Sequence, residues 1–254
     1  MDPWDKRAWL EGAPFRLGTY LQTTDPAVVE ILALAGFDFV VVDLEHGPLD
    51  LKSMRLHALA ARAAGLVCLV RVRDNRPSLI NQPLDAGAHG VQVPQVEEVQ
   101  AAEAALRAAK YHPRGQRGSN PYVRATGYGR QDYGSYLPRA NRESLVVLQI
   151  EGTGGLANLE EIVALPDLDV AWLGPYDLAQ ALGHPGRVDH PEVRAGLEKT
   201  ITLAGKREVL VGSFADRPEA ARGLVRAGVR LVAVSYETGI LLDGASRLVE
   251  EVRS

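Results

Sequence analysis

Short apolar runs recur along the chain about every thirty residues, and stretches rich in Ala, Leu, Glu and Arg with helical spacing separate them. Several runs are continuous, such as VVV at 40–42 and LVVL at 145–148, which is typical of strands buried on both faces of a parallel sheet. The pattern predicts eight strands, at residues 16–20, 39–43, 67–71, 91–94, 145–151, 170–173, 209–213 and 231–235.

The segments 26–35 and 96–110 have apolar residues at helical period, so both are predicted to be helices that follow strands. Turn signals precede the next strands at Gly36, Gly65, Gly87 and Gly228, and glycine is common just past a helix end. Eight strand–helix units in 254 residues predict an α/β protein with one domain, a (β/α)8 TIM barrel spanning residues 1–254.

A doubly wound open sheet is the main alternative fold. Such sheets commonly carry a glycine-rich phosphate loop, but here Asp132 stands where the third glycine would follow Gly127 and Gly129. The stretch 111–142, rich in Gly, Pro, Tyr and Arg, has weak periodicity and is too long for an ordinary connection. We expect a functional loop there that carries short helices.

The charge balance and the single cysteine exclude several classes of protein. With 28 basic and 32 acidic side chains the net charge is −4, which argues against non-specific nucleic-acid binding. Cys68 alone can build neither a disulfide framework nor a zinc site of several thiolates. The N-terminus lacks the apolar core of a signal peptide, and no run approaches the ~18 apolar residues of a membrane span. We therefore expect a cytoplasmic protein with neither a nucleic acid nor a membrane as partner.

Polar side chains follow the apolar runs at the strand ends where active sites form in such barrels. They are Asp43, Glu45 and His46 after the second run, Arg71 and Arg73 at the third, Gln149 and Glu151 at the fifth, and Asp177 after the sixth. Any one of these alone is as readily the start of a solvated loop. Glu151 shares a strand face with Gln149 and is predicted to point inward, where a carboxylate needs a metal ion or an arginine. Asp177 could instead be the N-cap of the following helix.

The histidines and lysines narrow the chemistry. No HxH or HxxxH pair occurs, which weakens the case for zinc held by histidines, whereas carboxylates favour a hard cation such as Mg²⁺ or Mn²⁺. No lysine ends a predicted strand, so an aldolase that forms a Schiff base is disfavoured.

Six motifs follow one another along the chain. They are VVVDLEHGP at 40–48, LVRV at 69–72, LDAGAHGVQVPQV at 84–96, KYHPRGQRG at 110–118, QIEG at 149–152 and GPYDLA at 174–179. Together they resemble the 4-hydroxy-2-oxoheptanedioate aldolase family, which includes 2-dehydro-3-deoxygalactarate aldolase and is related to macrophomate synthase and the citrate lyase beta-like lyases. Each motif is weak alone, but the combination is specific and the resemblance spans residues 16–237.

The resemblance implies a (β/α)8 barrel that performs class II pyruvate aldol chemistry with a divalent cation, Mg²⁺, Mn²⁺ or Co²⁺. Its substrates would be a small 2-oxo acid and an aldehyde. By their motifs, Glu151 and Asp177 would bind the metal ion, and Arg71 would contact the keto oxygen of the substrate.

The same resemblance implies further roles around these residues. His46 would take part in acid–base chemistry, with Asp43 and Asp85 as candidates to orient it. Gln149 would lie beside the metal ion or contact the substrate, and the turn Gly174-Pro175 would bring main-chain groups toward the pyruvate carboxylate.

Position 176 departs from the family pattern, which more often has Ala or Ser beside the metal-binding aspartate. As a residue of the substrate pocket, Tyr176 could narrow it, supply a hydroxyl to the substrate or turn away. The departure therefore bears on the choice of substrate and leaves the expected metal site unaffected.

Two other functions stay open. A carbon–carbon lyase acting on acyl-CoA esters, like malyl- and citryl-CoA lyases, would need a basic surface, and Arg114, Arg117, Arg124 and Arg130 could supply one. A catalytically silent barrel used as a binding module would have lost at least one of the metal-binding or catalytic residues, and all are present.

The resemblance also implies a homo-oligomer, a trimer of dimers whose subunits exchange their C-terminal helices. The tail 236–252 has the apolar face that such an exchange requires. The same face would suit packing against its own barrel, so both arrangements stay open.

Overall fold

The computed structural model describes residues 4–254. Eight parallel strands pair in chain order and close into a barrel, which confirms the predicted (β/α)8 fold. The strands are β1 Arg16–Leu21, β2 Phe39–Asp43, β3 Val67–Arg71, β4 Gly90–Val93, β5 Leu145–Ile150, β6 Val170–Leu173, β7 Leu210–Ala215 and β8 Leu231–Tyr236. Their ends agree with the predicted strands to within two residues.

Helices alternate with the strands and surround the barrel. Within the described residues they are α1 Lys6–Glu11, α2 Ala27–Leu34, α3 Leu51–Ala64, α4 Pro77–Ala86, α5 Val99–Ala109, α6 Tyr133–Glu143, α7 Thr153–Ala157, α8 Leu159–Ile162, α9 Pro175–Ala181, α10 Pro191–Gly205, α11 Pro218–Ala227 and α12 Glu237–Arg253. None of the helices in residues 4–254 combines the length and apolar character needed to cross a membrane.

Local signals in the sequence explain where the helices begin and end. At the start of α3, the Asp50 carboxylate accepts a hydrogen bond from the Ser53 amide at 2.8 Å, which satisfies a free N–H of the first turn. The same helix ends at Gly65, whose φ of +76° is a conformation that glycine adopts without strain. Gly65 thus ends the helix as the sequence predicted.

The interior of the barrel is filled by large side chains that face small ones. A Cβ at Gly18 would stand 2.4 Å from the Phe39 ring, and one at Gly212 would stand 2.2 Å from Trp172. Glycine at these two strand positions is therefore what allows both aromatic rings to fill the interior. Such a barrel is a packed core and not a pore.

The amino end of the barrel is closed by α1. Trp9 packs edge-on against Phe39 with 6.2 Å between ring centroids, and its carbonyl accepts a hydrogen bond from the Arg16 Nε at 2.9 Å. Because this end is covered, a substrate has access to the barrel only from the carboxyl ends of the strands.

Residues 111–142 carry a 3₁₀ turn at Arg124–Thr126 and most of α6, so the expected short helices are present. The segment joins the end of α5 to the start of β5 and therefore lies at the amino end, where the Trp4 indole donates to the Glu143 carbonyl at 2.9 Å. Within one chain it is thus remote from the strand ends that carry the candidate site. Its length reflects an added helix at the closed end.

The last helix, α12, contributes little to the fold of its own chain. Leu241 is 72% exposed and Val252 is 86% exposed. Beside α11, where a final barrel helix would pack over β8 and β1, an apolar groove is instead open, lined by Phe15, Leu17, Phe37, Ala221, Val225 and Val234. Both the helix and the groove thus present unpartnered apolar surface.

Candidate active site

A cavity of about 550 Å³ opens at the carboxyl ends of the strands. Among the residues that line it are these proposed from the sequence: His46, Arg71, Gln149, Gly174, Pro175, Tyr176 and Asp177. Asp43 and Glu151 lie directly behind them and hydrogen bond to Arg71 and Gln149. The strand ends singled out in the sequence therefore converge on one cavity.

Arg71 is held by a bidentate ion pair at the base of this cavity. Its Nε lies 2.9 Å from Asp43 Oδ1, and its Nη2 lies 2.8 Å from Asp43 Oδ2. Burial opposes ionisation of Asp43, but the hydrogen bonds and charge of Arg71 outweigh it and hold the pKa of that carboxyl below its usual range. The pair thus stays ionised although both side chains are almost completely buried.

Further contacts fix the direction of the Arg71 guanidinium. Its Nη1 lies 3.2 Å from Glu45 Oε2, its Nη2 donates to the Tyr236 hydroxyl at 3.1 Å, and it stacks over the Tyr20 ring at 4.9 Å. Burial alone would lower the pKa of Arg71, but the neighbouring Tyr20 and Asp43 raise it. The guanidinium is thus a permanent cation in a fixed orientation.

In the described part of the chain, no hydrogen bond joins Asp43 to the His46 ring. Asp43 Oδ1 instead accepts hydrogen bonds from the main-chain amides of Glu45 at 3.1 Å and His46 at 3.2 Å, and so shapes the turn that carries His46. The ring itself lies at the cavity mouth, 60% exposed, with its Nε2 3.9 Å from Glu45 Oε2. Glu45, which the sequence placed at a strand end without a role, is the carboxylate beside His46.

Asp85 is not part of this site within one chain. It is the penultimate residue of α4, which runs back to the amino end of the barrel, and its Oδ1 accepts a hydrogen bond from Arg117 Nη2 at 2.6 Å. Within one chain, the structure therefore does not bring Asp85 to His46. A sequence motif identifies the residue, but it does not show at which end of the barrel that residue lies.

Glu151 follows β5 and is 5% exposed. Its carboxylate accepts hydrogen bonds from the Gln95 amide at 2.6 Å and from Gln149 Nε2 at 2.5 Å. Burial raises the pKa of Glu151 to about 7, and the negative charges of Asp177 and Glu45 add to the effect. No cationic side chain pairs with it in the described part of the chain, so within one chain the structure shows no arginine partner for it.

Asp177 stands in the first turn of α9, on the same side of the cavity. The N-cap of this helix is Gly174, so Asp177 does not cap it. A Cβ at Gly174 would stand 2.6 Å from Glu151 Oε2. Glycine at position 174 therefore provides the space that the Glu151 carboxylate occupies. The turn Gly174-Pro175 therefore seats Asp177 beside Glu151.

This group of oxygen atoms fits a hard divalent cation. Glu45, Glu151 and Asp177 each contribute a carboxylate. Burial is the main cause of the raised pKa of Glu45 and of Glu151, and the negative charge of Asp177 adds to it in both cases. The buried Gln149 Oε1 has no hydrogen-bond partner within residues 4–254. Carboxylate and carbonyl oxygens are the ligands that Mg²⁺ and Mn²⁺ prefer, and a cation would relieve this repulsion.

Tyr176 lines the cavity, and its hydroxyl donates to Asp216 Oδ1 at 2.7 Å. Of the three possibilities left open by the sequence, the side chain has not turned away, because it lines the cavity. Asp216, Phe214 and Tyr236 also line the cavity, and sequence reasoning gave them no role. Because each lies at the carboxyl end of a predicted strand or just beyond it, the rule that located Arg71 could have found them.

A second cluster of possible ligands lies outside this cavity, where His184, His190 and Glu192 bring one ligand atom each within 4.8 Å of one another. The sequence did not indicate this cluster, because its residues come from a loop and the start of a helix and form no HxH or HxxxH pattern. The two imidazole rings stack 3.4 Å apart at 26°. The nitrogen lone pairs of the two rings therefore lie in nearly parallel planes, whereas two imidazoles that bind one ion direct their lone pairs at a common point.

The arginines considered for an acyl-CoA substrate lie away from the cavity. Arg117 pairs with Asp85, Arg114 forms an ion pair with Asp167, and neither lines the cavity at the strand ends. Within one chain they therefore form no basic surface at the site.

Comparison with known proteins agrees with this architecture. Residues 16–243 match the model of the family described as HpcH/HpaI aldolase/citrate lyase. A Pseudomonas putida protein named 2-dehydro-3,6-dideoxy-6-sulfogluconate aldolase is 35% identical over 233 residues, which cover 92% of this chain and 91% of the relative. A hydroxypyruvate/pyruvate aldolase of Roseobacter denitrificans is 33% identical over 239 residues, 94% of this chain and 92% of that protein.

A solved structure shares the whole fold. The crystal structure of a protein of the same family from Burkholderia cenocepacia superposes with a TM-score of 0.91 at 34% sequence identity, and the match covers 98% of each chain. The sequence resemblance, the closed barrel and the curated aldolases agree with one another. The chain therefore belongs to the HpcH/HpaI aldolase/citrate lyase family and is a carbon–carbon lyase.

Proposed function

We propose that the protein is a metal-dependent aldolase that cleaves a 4-hydroxy-2-oxo acid into pyruvate, or a related 2-oxo acid, and an aldehyde. The observation that carries the proposal is the fixed guanidinium of Arg71 at the same cavity as Glu151 and Asp177, two carboxylates for which the described residues show no ion pair. Relatives whose names describe aldolases, one of them a hydroxypyruvate/pyruvate aldolase, support it.

Glu151 and Asp177 would hold the divalent cation, with Gln149 next to it. Glu151 is the stronger candidate ligand because it is buried, lacks a cationic partner and is kept in place by the Gln95 amide. When bound, Mg²⁺, Mn²⁺ or Co²⁺ would stabilise negative charge on the oxygens of the 2-oxo acid. The main chain of the turn Gly174-Pro175 would face the carboxylate of the same substrate.

Arg71 would stabilise the charge that develops during cleavage. The bond between C3 and C4 breaks, its electron pair forms the C2–C3 double bond of the enolate, and the proton of the C4 hydroxyl leaves to a base. Protonation of C3 then gives pyruvate. A guanidinium directed at the C2 oxygen would contribute most where the negative charge is greatest, which is in the transition state.

His46 would accept the proton of the C4 hydroxyl. Its imidazole stands at the cavity mouth, exposed enough to exchange protons with solvent. Imidazole gains and loses protons near neutral pH, which suits a group that acts as base in cleavage and as acid in the reverse addition. Glu45 Oε2 lies 3.9 Å from His46 Nε2, so a carboxylate stands beside the ring.

We also propose that the protein is a homo-oligomer in which α12 packs against the barrel of a neighbouring subunit. The groove beside α11 and the exposed apolar face of α12 are complementary in character. Contiguous exposed apolar surface of this kind usually marks an interface between proteins.

The decisive experiment measures pyruvate release by metal-stripped protein from a panel of 4-hydroxy-2-oxo acids, before and after Mg²⁺, Mn²⁺ or Co²⁺ is restored. We expect cleavage of at least one member of the panel, and only with the cation. Cleavage that persists in chelator would refute the metal dependence, and no cleavage of any member would refute the reaction.

A further inference from the structure

The far end of the cavity carries a polar pair that the chemistry of pyruvate does not use. Tyr176 in the first turn of α9 donates its hydroxyl hydrogen to Asp216 Oδ1 at 2.7 Å, and Asp216 directly follows β7. The Tyr176 ring packs against Phe214 with 6.2 Å between centroids. Asp216 thus brings a carboxylate to the cavity wall, and Tyr176 directs it.

An aromatic wall separates this pair from Arg71. The Phe214 ring, which contacts Tyr176 on one side, lies 5.9 Å from Tyr20 and 5.8 Å from Tyr236 on the other. Tyr20 and Tyr236 are the rings that touch the Arg71 guanidinium. A substrate held at Arg71 would therefore extend past these rings before its far end reached the pair.

The charge at the far end is negative. Among the lining residues that the structure describes, the basic side chains are Arg71 and His46, and Arg71 is already neutralised by Asp43 and Glu45. Arg217, next to Asp216 in the chain, is exposed and outside the lining of the cavity. An anionic group placed at this end would meet the Asp216 carboxylate inside the cavity, whereas Arg217, the cation whose charge acts on Tyr176, stands outside the lining.

Hydroxyl groups, in contrast, find partners there. The Tyr176 oxygen keeps lone pairs that can accept a hydrogen bond, and Asp216 keeps a second carboxylate oxygen. Ser235 and Thr238 add hydroxyls to the same cavity. These groups match a chain of alcohol functions, each of which both donates and accepts.

From this geometry we propose that Tyr176 and Asp216 select the aldehyde half of the reaction, favouring an uncharged aldehyde that carries hydroxyl groups over one that carries a carboxylate, phosphate or sulfonate. The inference rests on the proposed aldolase function, since it concerns the second product of that cleavage. Tyr176 and Asp216 act as specificity-determining residues and take no part in the breaking of the bond.

The test compares two acceptors of the same carbon skeleton, D-glyceraldehyde and D-glyceraldehyde 3-phosphate, in the addition of pyruvate. We expect the wild-type kcat/KM to favour the uncharged aldehyde. Asp216→Asn keeps the shape and a hydrogen-bond acceptor for Tyr176 but removes the charge, and it should shift the ratio toward the phosphate on the order of tenfold, as expected for like charges a few ångströms apart in a partly hydrated cleft. Asp216→Glu, which keeps the charge, should retain the wild-type preference.

A second variant examines the hydroxyl. Tyr176→Phe keeps the ring against Phe214 and removes only the hydroxyl, so it should raise KM several-fold more for D-glyceraldehyde than for acetaldehyde, which has no hydroxyl. Asp189→Asn, in a loop outside the cavity, is the matched control. It should change neither the kcat/KM ratio of the two glyceraldehydes nor the KM ratio of D-glyceraldehyde and acetaldehyde. An unchanged ratio in Asp216→Asn, or a wild type that prefers the phosphate, would overturn the inference.

A further measurement distinguishes failure of the proposed aldolase function from failure of the role proposed for Tyr176 and Asp216. It follows, by NMR and without any aldehyde, the exchange of the pyruvate methyl protons with D₂O. This exchange needs only the enolate chemistry. If wild-type protein does not exchange these protons, the proposed aldolase function fails. If it does, and the acceptor ratio still does not respond to Asp216→Asn, only the assignment of Tyr176 and Asp216 fails.

Discussion

Arg71 and Asp43 are direct cross-strand partners in the register of β2 and β3, and their side chains join in a bidentate ion pair at the mouth of the barrel. The residue proposed to stabilise the reacting charge is therefore also the partner of a completely buried carboxylate. Removal of Arg71 would therefore affect both activity and folding, and experiments must separate the two effects.

Arg71→Ala should lower kcat by about 10²–10³-fold, the usual loss when one stabilising group is removed. It should also destabilise the fold by about 3–5 kcal/mol, because Asp43 becomes a buried charge without a partner. The double variant Asp43→Asn with Arg71→Ala should recover much of the stability but none of the activity. Urea denaturation and steady-state kinetics measure the two quantities. Recovery of activity together with stability would mean that Arg71 serves the fold alone.

Glu151→Gln should stabilise the protein in the presence of a chelator at pH 8, because it removes a buried negative charge beside Asp177 and Glu45. Mn²⁺ should raise the Tm of wild-type protein but not that of the variant. Glu161→Gln, an exposed position on α8, is the control and should behave as wild type. A variant that Mn²⁺ still stabilises would show that the ion binds elsewhere.

His46→Ala should reduce kcat for cleavage by about 10²–10⁴-fold, the usual contribution of a general base. Its unfolding should be unchanged within error, because the ring is mostly exposed. The kinetic measurement is paired with thermal unfolding of the same sample. Activity within tenfold of wild type would assign the base to another group.

Lys110 makes stability depend on pH at the closed end of the barrel. Burial lowers its pKa to about 7, while its ammonium group donates to the carbonyls of Asn141 at 2.9 Å and Ser144 at 2.7 Å. Between pH 7 and 10 the unfolded chain keeps the lysine proton and the folded chain releases it, so unfolding takes up a proton and the contribution of Lys110 to stability grows with pH.

The free energy of unfolding of wild-type protein should therefore rise relative to that of Lys110→Met from pH 7 to pH 10. Denaturant titrations at several pH values measure this difference, with the exposed Lys52→Met as control. A difference that stays constant over this range would mean that the buried ammonium keeps its proton.

Substitution of Leu241 and Leu248 by glutamate should lower the mass of the protein in light scattering, because both apolar side chains lie exposed on α12. The barrel should keep its helical circular dichroism, since α12 packs little against its own chain. Ser246→Glu, on another face of the same helix, should leave the mass unchanged. An unaltered mass in the double variant would exclude α12 from the interface.

The sequence was sufficient for the fold and for most of the cavity because both obey one rule. Apolar runs mark the strands, and the residues just after each run reach the same rim, so the sequence alone could bring Arg71, Glu151 and Asp177 together. Tyr236 and Asp216 obey the same rule and were missed only because a tyrosine and a lone aspartate are common on surfaces.

Other features depend on geometry that no local pattern carries. Gln95, whose main-chain amide donates to Glu151, has a φ of +54°. This left-handed conformation is usual for glycine, so a glutamine at position 95 gives no sign of it in the sequence. His184 and His190 meet through the path of a loop, and Asp85 is turned to the far end by the direction of α4. In each case the contact arises from the tertiary fold, which the spacing of residue types does not encode.

Gly174 and Tyr176 are separated by a single residue, yet they differ in their freedom to change. Any side chain at position 174 would strike the Glu151 side chain, whereas Tyr176 lines the cavity, at the end where we propose that the aldehyde half of the substrate binds. Within this turn, substitutions at position 176 can thus change which aldehyde is accepted, while Gly174 must stay for Glu151 to keep its position. A lineage of such barrels could therefore diversify its metabolism by single substitutions without passing through inactive ancestors.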